Sequence, residues 1–168
     1  MLRVALFVII LLLQPATLQA VPVTDGASLQ QALQQKHATI ELGPGTYRGN
    51  FLITHSTTLS CQPNSVLDAN HQGDALRITA VDVTVRGCTI INWGGDLTAM
   101  NAGIFVEQQA ASVNLSNNTL NGDTFGIWID ASRDAQITYN RIEGNLNIRS
   151  QDRGNGIHLY AAQGANVA

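Results

Sequence analysis

The 168-residue chain is 45% apolar, 5% aromatic and only 12% charged, a composition that supports a packed core and excludes a disordered polymer. Nine Lys and Arg against twelve Asp and Glu leave a net charge of -3, which excludes an electrostatic nucleic-acid binder and a polybasic membrane patch. Fifteen glycines and fourteen asparagines favour many turns and strands over long helices.

After Arg3 the residues from Val4 to Leu13 are all apolar, and the stretch closes through Pro15 and TLQA at Ala20. One basic residue, a short apolar run and a small residue at the cut are the three regions of a secretory signal peptide, so residues 1–20 are expected to be removed after Ala20. Ten apolar residues fall short of the roughly 18 needed for a spanning anchor. No later segment could cross either, so the mature chain is expected to enter no membrane. Loss of Arg3 leaves eight basic and twelve acidic residues over 148 positions, a net of -4. Export would place Cys61 and Cys88 where disulfides form.

Residues 21–168 show no linker or low-complexity tract and read as one domain. SLQQALQQ, from Ser28 to Gln35, combines good helix formers with Leu29 and Leu33 four apart. A short helix is predicted there, covering the open end of a stack of strands. Ala38 to Thr54 then enters strands through the turn at Gly43, Pro44 and Gly45.

Beyond that point the chain repeats. GIFVEQQAASVNLSNNTLNG from Gly103, GIWIDASRDAQITYNRIEGN from Gly126 and GIHLYAAQGANVA from Gly156 align from their glycines, and ALRITAVDVTVRGCTIINWG from Ala75 is a weaker copy. The spacings of 28, 23 and 30 describe a unit of roughly 22 residues with loops inserted between copies. Each copy holds two short alternating runs, such as Ile127 to Ile129 and Ile137 to Tyr139, and an Asn before an apolar residue, Asn118 or Asn140. A single copy cannot bury its apolar side, whereas copies stacked about 4.8 Å apart form a continuous interior column. The predicted fold is all-β, a right-handed parallel β-helix with a short N-terminal capping helix. Asn118 and Asn140 read as an internal amide ladder at a bend. The last copy stops at Ala168 within a strand, so the chain reads as the N-terminal part of a longer protein and is expected to be insoluble or oligomeric by itself.

Side chains two apart on a strand share a face. With Ile104, Ile127 and Ile157 inward, the outward column is Phe105, Trp128 and His158, preceded by Arg77, and the next is Glu107, Asp130 and Tyr160. This patch admits three readings. It is a solvated face whose aromatics pack on loops, or a docking surface with aromatic anchors, or a pair of carboxylates for glycoside chemistry. On the docking reading, Trp128→Ala and His158→Ala weaken partner capture with little effect on stability. Gly126→Val should disturb the coil if Gly126 occupies a restricted turn.

Copper ligands would come from His37, His55, His71, His158, Cys61, Cys88 and Met100, but these show no CxxC, HxH or MxxM spacing, and no cofactor motif is detectable. Cys61 and Cys88 lie 27 apart, close to one coil, with local registers that differ by one; a bridge and a buried free pair both fit. GxSxG, HExxH and phosphate-loop patterns are absent.

ELGPGTYRG, VLDANHQGDALRITA, DVTVRGCTIINWG and above all RGNGIHLY from Arg153 together resemble the N-terminal part of the NosD family, pectin-lyase-like β-helix proteins of nitrous oxide reductase maturation. The resemblance covers nearly all of residues 21–168. It implies a non-enzymatic periplasmic adaptor that works with ABC transporter subunits, a copper chaperone and nitrous oxide reductase. Copper is implied only by the resemblance. The rival readings are a secreted polysaccharide lyase or glycosidase and a carbohydrate-binding β-helix, since the fold alone does not choose among them.

Overall fold

A computed structural model describes residues 23–168, so the expected signal peptide lies outside the described residues. Its sixteen strands fall into three parallel sheets, here called A, B and C. The chain visits them in turn, as in Thr57–Cys61 (sheet A), Ser65–Asp68 (B) and Leu76–Ile78 (C), and each new turn lays its strand beside the previous one. Five full coils and the first strand of a sixth result. This is the predicted parallel β-helix.

The registers reproduce the aligned repeat. Sheet A stacks Ile40, Leu59, Val85, Leu115 and Ile137 in one inward column. Sheet C stacks Leu76, Ile104, Ile127 and Ile157, which places Ala75 in line with Gly103, Gly126 and Gly156. From Ile40 to Ile137 the sheet A column is at most 6% exposed. Burying one such side chain contributes about 1.5–3 kcal/mol. The long repeat spacings come from loops around residues 92–101 and 145–156, both between sheet B and sheet C.

The helix spans Gly26–Leu33, two residues earlier than predicted at both ends. Its start is set by a capping box. Asp25 accepts from the Ser28 N–H at 2.8 Å, and the Ser28 hydroxyl accepts from the Asp25 N–H at 3.0 Å. Leu29 and Leu33 are fully buried on the first coil. Gln30 covers the free edge of sheet C, donating to the Leu52 carbonyl and accepting from the Leu52 N–H. Among the described residues no helix is long and apolar enough to cross a membrane.

The amide ladder is present at the corner between sheets A and B. Asn118 accepts from the Cys88 N–H at 3.0 Å and donates to the Val85 carbonyl at 3.0 Å, while Asn140 accepts from both Asn118 nitrogens. Asn118 is 1% exposed. Asn118→Leu leaves the Cys88 N–H and the Val85 carbonyl unpaired in an apolar setting and is expected to cost about 2–4 kcal/mol. Urea unfolding monitored by circular dichroism reads that loss.

Cys61 and Cys88 are bridged, with Cα atoms 4.9 Å apart. The register pairs Ser60 with Arg86, so the coil offers Gly87 opposite Cys61. Gly87 takes a positive φ of 72°, a conformation favoured by glycine, and this turn returns Cys88 to its partner. The one-residue offset is thereby absorbed.

Candidate functional site

The outward column of sheet C is continuous. Register places Arg77, Phe105, Trp128 and His158 on successive rungs, and at about 4.8 Å per rung planar groups can stack. The Arg77 guanidinium carbon lies 4.1 Å above the Phe105 ring centre. Phe105 stacks on Trp128 with centroids 6.0 Å apart, and Trp128 on His158 at 4.1 Å with an interplanar angle of 12°. Phe125 meets Trp128 edge-on at 4.7 Å and His158 at 5.6 Å. The Nδ1 atom of His158 sits 3.0 Å from the Asn155 amide nitrogen.

This arrangement corrects the expectation of exposed anchors at Phe105 and Trp128. They point away from the coil interior, yet they are only 3% and 7% exposed, because they form a second small core with Ala102 and Phe125 outside the coil. Sequence alternation does not reveal Phe125. Strict alternation from Ile127 would turn it inward, but a Cβ built on Gly126 would strike Ile142 and the Gly156 carbonyl, so Gly126 and Ile127 both face the interior. The break in alternation puts Phe125 outside with Trp128. The expected mildness of Trp128→Ala is corrected with it, since truncating a buried Trp costs about 3–5 kcal/mol.

The acidic column is also more structured than its spacing suggests. Glu107 accepts from Arg77, and Arg77 donates in addition to Asp74, with Nε to Oδ2 at 2.8 Å and Nη2 to Oδ2 at 2.6 Å. The other Asp74 oxygen accepts from the Ala102 N–H at 2.9 Å. Glu107 is therefore held by a cation and does not form a free carboxylate pair with Asp130. Asp130 lies beside Tyr160 in register, and Tyr160 is 58% exposed. Exposed Tyr160, half-buried His158 and half-buried Asp130 form the accessible rim of this wall.

Burial holds the Asp74 carboxyl above its ordinary value, opposed by the Ala102 N–H and the Arg77 guanidinium. A folded value above the unfolded one means that the folded chain binds a proton more readily. Stability from Asp74 is then greatest in acid and declines as pH rises through the raised value. Arg77→Met leaves Asp74 and Glu107 facing each other without a cation, which steepens that decline. The variant is expected to lose about 2 kcal/mol at pH 7, below the value for a fully buried pair because Arg77 is 36% exposed. At pH 4 the loss should be much smaller; urea unfolding at the two pH values measures both.

For the copper candidates, the bridge occupies Cys61 and Cys88. Among the described residues, His, Cys, Asp and Glu form no group of three or more arranged around a metal position. His37, His55 and His71 sit in or beside turns away from His158.

Comparison with known proteins agrees with the fold. A family model described as the right-handed β-helix region matches residues 45–168. A protein of Stutzerimonas stutzeri named probable ABC transporter binding protein NosD is 43% identical over 147 residues, covering 82% of this chain and 34% of that protein. A protein of the same name from Pseudomonas aeruginosa is 44% identical over 158 residues, covering 94% of this chain and 36% of that protein. The chain thus spans about a third of the length of these relatives.

Proposed function

This chain belongs to the right-handed β-helix family, in the company of NosD proteins, and from that premise we propose that it is a non-enzymatic accessory protein that binds an ABC transporter. It acts in the periplasm after export, as a rigid adaptor in assembling the copper centre of nitrous oxide reductase with a copper chaperone. The observation that carries the reading is its similarity, over most of its length, to relatives named for transporter binding.

The sheet C wall is the proposed contact face. Phe105 and Trp128 form its ordered backing, and His158, Asp130 and Tyr160, with the edge of Glu107, form the rim that a partner meets. Tyrosine and histidine on a preordered surface lose little freedom when they are covered. Affinity capture of the transporter's ATPase and permease tests this. Tyr160→Ala with His158→Ala is expected to weaken capture about tenfold, with an unchanged circular dichroism spectrum. Capture equal to wild type by the folded double variant would count against the face.

The glycosidase reading is disfavoured by Glu107, whose carboxylate is taken by Arg77. A glycan-stacking platform at Trp128 is disfavoured by that ring's burial. Turnover of an acidic or neutral glycan that is lost in Asp130→Asn would restore the enzymatic reading.

A further inference from the structure

We propose that the Cys61–Cys88 bridge is an exchangeable bond, opened by a small thiol that attacks the sulfur of Cys61 and expels that of Cys88. The two cysteines hold unlike places in the coil. Strand pairing aligns Ser60, Arg86, Ser116 and Thr138, so the residues that follow them, Cys61, Gly87, Asn117 and Tyr139, form one column at the corner after sheet A. That column faces solvent. Gly87 and Asn117 are exposed, Tyr139 is 77% exposed, and Cys61 is half-buried. Cys88 stands one place further on, in the inner column of Asn118 and Asn140, and is fully buried.

The surroundings of Cys61 keep an approach open. Its neighbour on the rung above is Gly87, where a Cβ would come within 2.9 Å of the Cys61 carbonyl oxygen, and which presents no side chain. Gln62, Pro63 and Asn64, which follow Cys61, are all exposed. Arg86 donates from Nε to the Ser60 hydroxyl at 2.8 Å and so brings a positive charge to the residue before Cys61. Glu41, one rung below Ser60, accepts from the Gln62 amide at 2.8 Å. A cation beside a cysteine favours the anionic thiolate that carries out exchange.

The exchange balances without a further reagent. A thiolate forms a bond to the Cys61 sulfur while the bond between Cys61 and Cys88 breaks, and the electron pair leaves on Cys88, which takes up a proton. Cys88 remains held through its N–H by the Asn118 side chain at 3.0 Å, so its sulfur stays close to Cys61 and can expel the incoming thiol again. In a folded, reduced chain the same route makes the bridge. A small disulfide first transfers one half to Cys61 and releases one thiol; Cys88 then displaces the other half as a second thiol. Two cysteine thiols are oxidised and one small disulfide is reduced. Cys61 is thus the entry sulfur and Cys88 the resolving one, independently of the docking role of sheet C.

The test uses the native full chain and glutathione. Wild type is incubated with reduced glutathione, quenched in acid, digested with pepsin and mapped by mass spectrometry. Mixed disulfide is expected on Cys61 in at least about tenfold excess over Cys88, at a rate proportional to the glutathione concentration. Cys88→Ala, folded by circular dichroism, should take up oxidised glutathione at least about tenfold faster than folded Cys61→Ala, and in urea the two rates should converge. Equal labelling of the two cysteines in wild type, or opening at the rate of global unfolding whatever the glutathione concentration, would overturn the proposal. Equal rates in the two folded variants would do the same.

Discussion

Gly126→Val is expected to disrupt the middle of the coil, with a loss of about 3 kcal/mol or more. The cause is close approach. Gly126 lies where the chain bends from sheet B into sheet C, and any Cβ there meets Ile142 and the backbone oxygen of Gly156 on the next rung. A side chain at the far end of a flexible stem could move aside, but a carbonyl within a parallel ladder cannot without breaking the ladder. A restricted turn, the origin that the sequence suggests for this sensitivity, does not apply, because Gly126 is absent from the positive-φ glycines. Gly156, one rung on, supplies the control. A Cβ there meets nothing closer than Ile142 at 3.8 Å, so Gly156→Ala should be tolerated. Thermal melts of the two variants should therefore differ widely, and equal melting temperatures would reject the close-approach account.

Removing the Cys61–Cys88 bridge is expected to cost about 3–4 kcal/mol, from the freedom returned to an unfolded loop closed across 27 positions. The effect should appear both in Cys61→Ala with Cys88→Ala and in wild type unfolded under reductant. Cys88 is fully buried, so alanine there adds a small packing loss that Cys61→Ala alone would not show. A reductant-insensitive urea midpoint in wild type would show that the bridge does not form.

Much of this architecture is legible because a solenoid writes its register into the sequence. Aligning Gly103, Gly126 and Gly156 places Phe105, Trp128 and His158 in one column with Arg77 below them, and the strand pairings place them the same way. Burial is less legible. Alternation reports which side of a strand a residue faces, but not what else covers that side, so from sequence Phe105 and Trp128 look exposed. Phe125 is hidden by the break in alternation at Gly126, whose signal is the glycine itself. The Asp74, Arg77 and Glu107 network joins residues up to 33 positions apart, and only the stacking of rungs brings them together. The start of the helix is readable in principle, since Asp25 and Ser28 have the spacing of a capping box.

The cystine shows the opposite limit. Counting residues puts Cys61 and Cys88 one register step apart, which leaves bridge and free pair equally open, and the answer lies in the φ angle of Gly87. Backbone conformation at a single glycine is not written in the spacing of its neighbours.

Site-directed photocrosslinking tests the docking wall most directly. A photoreactive residue at position 160, on the exposed rim of sheet C, is compared with one at position 139, where Tyr139 is 77% exposed on the turn leading from sheet A to sheet B. In cells that carry the transporter, adducts with the permease are expected from position 160 and none from position 139. Adducts from position 139 with none from position 160 would contradict it.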